Sequence, residues 1–331
     1  MPRILPNPIR VAVIVPTDGQ LLGVLGMVEA FDAANRIRTH HGKQPLYGID
    51  WFSLDERVRT RSGLTFYTHP LSTLESADML VVGGRLENRT GQVDKPLVGA
   101  VLRVSPTCDR VVSVCVGASI LAAAGLLHER RATTHWLATQ SLATQAPTAV
   151  LVPNVLYTED QGIFCSAGAT AGIDLALHLI RLDGGPKLAL AVAKTLVVFS
   201  NRPGGQSQFA VATPIPTVSD DRIRAVVACI VETPGTDHRV PKLAKRAGMS
   251  PRTFARRFKN QTGTTPSAFV QTVRIQAARR ALELGDQPVD TIASDVGMGG
   301  AEALRRAFLR HVGVTPGAYR QRFGSAHKAT R

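Results

Sequence analysis

The sequence has few cysteines and no long apolar run, and each shortage excludes a class of protein. The four cysteines, Cys108, Cys115, Cys165 and Cys229, are far apart and form no Cys-x-x-Cys pair. This spacing argues against a disulfide framework or a zinc site and indicates a reducing compartment. No apolar run reaches the roughly 20 residues that a membrane-spanning helix needs. The first ten residues hold three prolines instead of the apolar core of a secretory signal. We therefore expect a cytoplasmic protein with no membrane segment.

Positive charge is distributed unevenly along the 331 residues, a length that predicts two domains. Residues 219–331 carry 20 Lys and Arg against 9 Asp and Glu, a net charge of +11, whereas residues 1–218 carry only +3. A concentrated positive field attracts a polyanion and gains free energy from counterion release. Nucleic acid is one interpretation of this charge, and a merely solvated basic surface is the other.

The first two-thirds of the sequence alternates predicted strands with predicted helices. Such alternation predicts a mostly parallel sheet with helices on both faces. Residues 201–218 are rich in Pro, Gly, Ser and Gln, which predicts a linker between a domain at 1–200 and a helical domain at 219–331. The predicted strands are 9–15, 47–54, 78–84, 110–114, 149–158 and 162–166, and the predicted helices are 26–38, 117–127, 171–182 and 187–198.

An internal repeat is the strongest pattern in the last third. Phe254, Arg256, Phe258, Gly263, Thr265, Pro266 and Phe269 recur fifty residues later as Leu304, Arg306, Phe308, Gly313, Thr315, Pro316 and Tyr319. Just upstream, Ala244 and Gly248 recur as Ala293 and Gly297 at a spacing of forty-nine. The one-residue slip lies between two predicted helices, where an insertion costs little.

Each copy of the repeat has the pattern of a helix-turn-helix. A short helix ends at Gly248, where the chain must turn sharply. A second helix starts at Ser250 and Pro251, with Ser as N-cap and Pro at the first helical position. Its apolar residues Phe254 and Phe258 are four residues apart and face inward, while its other face is basic. A basic second helix of this size is suited to the major groove. A helical repeat that binds protein is the alternative, but it predicts no particular charge on that face.

These residues resemble the two helix-turn-helix copies of the AraC/XylS family of transcription regulators over about residues 219–323. The resemblance implies a long helix between the copies and double-stranded DNA as the partner. The implied DNA-binding residues are Ser250, Arg252, Thr253, Ala255, Arg256, Lys259, Glu302, Arg305 and Arg306. The sequence departs from the family at Met298, where an aromatic residue is usual, and at Gly299 and Gly300, which replace a polar helix start. We therefore expect the second recognition helix to be less firmly capped than the first.

Cys115 follows a predicted strand and precedes a small-residue helix, which is the pattern of a nucleophile elbow. Such a turn is expected to expose the thiol at a helix N-terminus, where the helix dipole lowers its pKa. The segments LLGVLGMVEAFDAANR, DMLVVGG, VVSVCVGASILAAAGLL, ATTHW and CSAGATAGIDLALHLI resemble the PfpI/ThiJ-like group, which is related to class I glutamine amidotransferases. The resemblance covers about residues 9–200 and implies a flavodoxin-like α/β domain. It also implies that the chain joins this domain to the all-α double helix-turn-helix, as one subfamily of regulators does.

Enzymes of the PfpI/ThiJ-like group use the elbow cysteine, a nearby histidine and a carboxylate. Here Glu29 occupies a matching position, but Val116 stands where the elbow histidine would be, and His135 is the available substitute. A valine activates no thiol, so we expect no catalytic residues and no enzyme, with a PfpI-type cysteine hydrolase or amidase as the alternative. No acidic cluster has the spacing of metal ligands, so we also expect no metal and no cofactor, and a nuclease is disfavoured.

The carboxyl ends of parallel strands form ligand pockets in open α/β sheets. The predicted effector pocket at this edge consists of Glu29, Cys115, Val116, His135, Ser166 and Gly168. The resemblance implies a small-molecule effector such as an amine or amino acid, a homodimer, and RNA polymerase as a partner if the protein is an activator.

Overall fold

The computed structural model describes residues 8–198 and 218–324. The chain divides into two compact units, Met1–Gln206 and Ser207–Arg331. The predicted linker 201–218 lies outside the described residues except for Val218.

Short apolar runs of the first unit form the strands of a parallel sheet. The strands are β1 (Ile9–Ile14), β2 (Tyr47–Ser53), β3 (Arg57–Arg59), β4 (Thr65–Tyr67), β5 (His69–Pro70), β6 (Met79–Val82), β7 (Arg110–Val114), β8 (Arg131–Ala132), β9 (Val150–Leu151), β10 (Tyr157–Asp160) and β11 (Ile163–Ser166). Seven of them pair in the order β10-β11-β7-β6-β1-β2-β5, while β3 pairs with β4 and β8 with β9. Neighbouring strands of the seven-stranded sheet run parallel except for the β10–β11 pair, which is antiparallel.

Helices cover both faces of this sheet, as the alternating sequence predicts. Along β1, Val11 and Val13 pack into one apolar core, while Ala12 and Ile14 pack into the other. This period of two is the alternation of side chains along a strand that is buried on both faces. The first core takes its helical residues from α1 (Leu22–His40), α5 (Ala171–Gly184) and α6 (Pro186–Thr195). The second takes them from α2 (Lys95–Val104), α3 (Ala118–Ala123) and α4 (Thr139–Gln145).

One predicted strand, 149–158, is wrong. The structure has β9 and β10 in its place, with residues 152–156 between them in neither strand. Pro153 interrupts the run because proline has no backbone N–H to donate to a ladder. In the turn between β10 and β11, Gln161 and Gly162 have positive φ values of 46° and 83°.

A buried ion pair ties the end of α5 to the sheet. Asp183 accepts two hydrogen bonds from the Arg110 guanidinium, at 2.8 and 2.7 Å. It also accepts one at 2.8 Å from the hydroxyl of Tyr47. The Asp183 side chain is only 4% exposed. Burial raises the pKa of Tyr47 well above its usual value, and the adjacent Asp183 carboxylate adds to the effect.

The described residues of the second unit form helices joined by short loops, with no strand among them. The unit consists of α7 (Asp221–Glu232), α8 (Val240–Arg246), α9 (Pro251–Thr262), α10 (Pro266–Leu284), α11 (Val289–Asp295), α12 (Ala301–His311) and α13 (Pro316–Phe323). Its buried side chains form two separate apolar cores. Among the described residues of both units, no helix combines the length and the hydrophobicity needed to cross a bilayer.

We expect Asp183→Ala to lower the free energy of unfolding by about 2–4 kcal/mol, because it leaves a mostly buried guanidinium and a buried hydroxyl without their acceptor. Asp32 pairs with Arg36 on the surface of α1, where its side chain is 52% exposed. The control Asp32→Ala should therefore cost no more than about 1 kcal/mol. Urea denaturation measures both, and equal losses in the two variants would contradict the structural role of the buried pair.

Candidate nucleic-acid interface and ligand site

The first helix-turn-helix is formed by α8, a glycine turn and α9. Gly248 has a φ of 62°, which a side chain would make unfavourable at the turn. Ser250 is the N-cap of α9: its Oγ accepts from the backbone N–H of Thr253 at 3.3 Å and donates to the Thr253 hydroxyl at 2.9 Å. Phe254 and Phe258 are fully buried, so they set which face of α9 points outward.

The outward face of α9 presents cations that are not engaged in ion pairs. Arg252, Arg256 and Lys259 are exposed, and none has a salt-bridge partner among residues 8–198 and 218–324. The neighbouring Arg257, by contrast, lies 3.4 Å from Asp220. Unpaired guanidinium groups on a rigid helix can bind an external acceptor without first breaking a contact.

The second helix-turn-helix, α11 and α12, begins its outer helix differently. Gly299 and Gly300 have positive φ values of 72° and 115°, and Gly300 is an N-cap without a side chain, as the sequence indicates. However, Asp290 of α11 accepts a hydrogen bond at 2.8 Å from the backbone N–H of Ala301. The carboxylate of the neighbouring helix thus supplies the cap. The sequence did not indicate Asp290 as a cap, because sequence patterns for capping extend only about three residues from the N-cap.

Three exposed charges in the first half of α12, those of Glu302, Arg305 and Arg306, are paired with one another. Glu302 accepts two hydrogen bonds from Arg305, at 2.7 and 2.9 Å, and lies 3.9 Å from Arg306. The hydrogen bond from Arg305 lowers the pKa of Glu302. The two recognition helices therefore differ: α9 presents free cations, whereas α12 presents a carboxylate bridged to two arginines. Ala255 is half-buried on α9.

At the carboxyl end of β7, the chain turns at Cys115. This residue has a φ of 58°, a strained value for a residue with a side chain and the one that an elbow requires. At this turn the backbone of two glycines, Gly168 and Gly84, lies very close to neighbouring residues. An added Cβ on Gly168 would lie 2.2 Å from the Cys115 Cβ, and one on Gly84 would lie 2.4 Å from the Gly117 nitrogen. Only glycines fit at these two places.

The elbow geometry is as expected, but the thiol is not exposed and its pKa is not lowered. Cys115 is 8% exposed, and burial raises its pKa to about 11. A backbone hydrogen bond at Val116 lowers the pKa by less than burial raises it. Val116 is itself buried. The expectation of a low thiol pKa is therefore wrong, because desolvation outweighs the helix terminus.

Cys115 has polar neighbours that the sequence did not indicate. Its Sγ lies 3.9 Å from Oε1 of Gln20, and its carbonyl accepts a hydrogen bond from the Thr134 hydroxyl at 3.0 Å. Gln20 follows β1, so the rule that sites form at carboxyl ends of strands would have found it. Glu29, the predicted carboxylate, is exposed on α1. The residue of α1 that faces Val114, at the end of β7, is Gly23. Glu29 lies six residues further along the helix, a distance of about 9 Å.

Of the remaining predicted pocket residues, His135 and Gly168 lie on loops that follow β8 and β11, and Ser166 is the last residue of β11. His135 is half-buried, and burial followed by the nearby Arg89 cation lowers its pKa. Its Nδ1 accepts from the backbone N–H of Leu137 at 3.2 Å. Ser166 ends β11, directly beside Val114 of β7, and its buried hydroxyl has no hydrogen-bond partner within the described part of the chain. In those same residues, no cluster of three or more His, Cys, Asp or Glu could hold a metal ion.

We expect the Cys115 thiol to be alkylated by iodoacetamide at least about a hundredfold more slowly than a free cysteine at pH 7, because a pKa near 11 leaves very little thiolate. The rate should rise about tenfold per pH unit between pH 7 and 9. Peptide mass spectrometry measures each site separately, with the urea-unfolded chain as the control in which all four cysteines react alike. Rapid labelling of native Cys115 at pH 7 would contradict this prediction.

Comparisons with known proteins agree with both halves of this geometry. A model of the DJ-1/PfpI family matches residues 10–182, more than half of the chain, and a model of a helix-turn-helix domain matches residues 243–322. An HTH-type transcriptional regulator of Mycobacterium tuberculosis is 46% identical over 89 residues, which are 27% of this chain and only 34% of that protein. The HTH-type transcriptional regulator CdhR of Pseudomonas aeruginosa is 27% identical over 298 residues, which are 89% of this chain and 87% of the relative.

The fold is also found among solved structures. The crystal structure of an AraC family transcriptional regulator from Pseudomonas putida matches 57% of this chain and 100% of the solved chain, with a TM-score of 0.50 and 23% identity. These matches confirm the resemblances and the fold that the sequence predicts for each half. The chain belongs to the DJ-1/PfpI family and carries, after that α/β domain, an AraC-type double helix-turn-helix domain.

Proposed function

We propose that this protein is a sequence-specific DNA-binding transcription regulator. The observation that carries the proposal is the exposed basic face of α9, where Arg252, Arg256 and Lys259 have no ion-pair partner among the described residues. This face lies on an N-capped helix, and α12 occupies the equivalent position in the second copy of the repeat. Both relatives described above are named transcriptional regulators, which supports the proposal. A function on DNA also supports a cytoplasmic location. For the domains we propose the limits 1–200 and 219–331.

In this function, α9 and α12 enter the major groove about one helical turn apart on the same side of the duplex. Arg252 and Arg256 are suited to the paired acceptors of guanine. Glu302 is suited to the amino group of cytosine, with Arg305 and Arg306 held beside it. Ser250, Thr253, Ala255 and Lys259 complete the proposed surface of α9. Arginine contacts on α12 require rearrangement of the Glu302 bridge, so α9 is the stronger reader of sequence.

We expect Arg256→Ala to weaken binding to the correct site by about 1–3 kcal/mol and to relax specificity at one or two bases. Arg306→Ala, at the equivalent position of the repeat, should weaken binding to correct and scrambled sites alike, as loss of a phosphate contact does. The measurement is a pair of binding titrations for each variant, on a site selected in vitro by the wild-type chain and on its scrambled version.

Two outcomes would contradict this account. If the wild-type chain selects no DNA sequence at low salt, it is not a sequence-specific regulator. If Arg306→Ala causes the more selective loss, α12 is the main reader and the difference in charge pairing between the helices does not set their roles. Exposed Arg280 of α10 provides the control: Arg280→Ala removes the same charge from a helix that is not one of the two recognition helices.

We further propose that the DJ-1/PfpI domain binds a small-molecule effector, mediates homodimerisation and is not an enzyme. The positive φ of Cys115 is the one observation that favours a cysteine hydrolase, but its buried thiol has a pKa near 11 and no base at the adjacent position. The exposed Leu22, at 64%, and Leu25 offer an apolar surface on α1 for a second copy. An activator would also contact RNA polymerase.

The effector site proposed is the edge around Cys115, Val116 and Gly168, with Gln20, His135 and Ser166 as polar groups. Arg89 supplies a cation beside His135 for a carboxylate, and the Gln20 amide oxygen supplies an acceptor for an ammonium group. These two chemistries together suit an amine or an amino acid. Glu29 lies too far along α1 to be the main polar group, and remains a peripheral candidate.

We expect at least one compound from a panel of the twenty amino acids and their decarboxylated amines to raise the melting temperature of the full chain, since a ligand at a hundred times its Kd stabilises by about 2.7 kcal/mol. Gln20→Leu should abolish the shift, whereas Gln140→Leu, an exposed glutamine on α4, should leave it unchanged. An equal shift in both variants would place the ligand elsewhere, and no shift in the wild type would reject this effector class.

A further inference from the structure

The double helix-turn-helix contains two apolar cores rather than one. Residues from α7, α8 and α9 form the first, and residues from α11, α12 and α13 form the second. Among the described residues, only α10 contributes to both: Phe269, Val270 and Val273 pack into the first core, and Ile275, Ala278 and Leu282 into the second. No shared core joins the two helix-turn-helix motifs. Their orientation relative to each other therefore depends on α10 and on the contacts at its middle.

Arg274 lies at the middle of α10, between the last residue of the first core and the first residue of the second. Its Nε donates to the carbonyl of Pro234 at 3.0 Å, and its Nη2 donates to the carbonyl of Thr236 at 2.8 Å. Both carbonyls belong to the loop between α7 and α8. Arg274 therefore holds this loop of the first helix-turn-helix against α10. Charged donors to backbone carbonyls make stronger bonds than neutral ones.

The same loop also touches the turn between α11 and α12 in the second helix-turn-helix. An added Cβ on Gly235 would lie 2.2 Å from the carbonyl oxygen of Asp295, so the two backbones are in direct contact. A Cβ on Gly297, which has a φ of 73°, would lie 2.9 Å from the Gly235 carbonyl oxygen and 3.0 Å from Nη2 of Arg274. The guanidinium therefore packs at the point where the two units meet.

Beside this contact the units are separated by a groove of about 380 Å³. Its lining includes Asp237, Arg239, Ser267 and Gln271, so it is largely polar. Val270 and Met298 also line it, but a largely polar groove supplies little of the apolar packing that fixes two helices against each other. The contacts of Arg274 and Gly235 are thus the ones that resist rotation of one unit relative to the other.

We propose that Arg274 is a positioning residue that fixes the separation and angle between the two recognition helices, and so sets the half-site spacing that the protein accepts on DNA. This proposal rests on the proposed function, since it concerns two readers on one duplex. One inserted base pair moves a half-site by about 3.4 Å and turns it by about 35°. Two helix-turn-helix motifs held together by Arg274 cannot follow this shift and rotation of the half-site, whereas motifs without that contact can.

The test uses the full chain and a site that the wild type selects in vitro, with zero, one or two base pairs inserted between its half-sites. We expect the wild type to bind the one-pair insertion about tenfold more weakly than the selected site, as for one or more lost base contacts. Arg274→Met keeps the aliphatic stem but removes both hydrogen bonds, and should reduce this ratio to below about threefold. Arg280→Met, an exposed arginine on the same helix, should keep the wild-type ratio.

The ratio between spacings is the decisive readout, because a general loss of stability lowers affinity for all three DNAs equally. Gly235→Ala perturbs the same contact from the other side, by pushing the loop away from Asp295, and should lower the ratio as well; it decides alone if Arg274→Met does not fold. A wild type that selects no DNA rejects the proposed function. A wild type that binds but tolerates insertions, or an Arg274→Met variant with the wild-type ratio, overturns the inference.

Discussion

The structure of the C-terminal domain depends on one helix, α10, which packs into two small apolar cores. Each helix-turn-helix buries its own phenylalanines and aliphatic residues, and α10 is the element common to both. A 19-residue helix is rigid over about 28 Å, so it transmits the position of one unit to the other. The polar clamp at Arg274 then opposes rotation about that helix. Local stability and relative orientation therefore come from different interactions, one apolar and one hydrogen-bonded.

In the N-terminal half, close backbone approach has a comparable role. Glycines at positions 84 and 168 allow the chain to fold tightly around Cys115, and the same tightness removes the thiol from water. The geometry of a nucleophile elbow is retained, while the electrostatics that would activate a nucleophile are not.

The two recognition helices show how a repeat diverges. Ser250 caps α9 from within its own sequence, whereas α12 takes its cap from Asp290 on the neighbouring helix. The sequence correctly indicated an N-cap without a side chain at Gly300, but a hydrogen bond between helices replaces the missing group. The difference that remains is electrostatic: within the described part of the chain, Arg252, Arg256 and Lys259 of α9 have no ion-pair partner, whereas Arg305 and Arg306 of α12 share Glu302. Ion pairing within a helix is thus a feature to weigh when base contacts are inferred from spacing alone.

The sequence by itself determined most of the strands, the helical repeat, the two-fold helix-turn-helix and the elbow at Cys115, because these follow from periodicity, turn residues and neighbours within a few positions. The one strand that was predicted wrongly contains Pro153. The pKa of the Cys115 thiol was predicted wrongly because the sequence shows that a helix begins there but does not show that the thiol is buried. Only the tertiary structure decided the pKa of Cys115, the contact of its thiol with Gln20, the cap from Asp290 and the position of Arg274 between two cores. Each of these depends on groups that are distant in sequence and adjacent in space, and desolvation and hydrogen bonding act on that spatial distance rather than on separation along the chain.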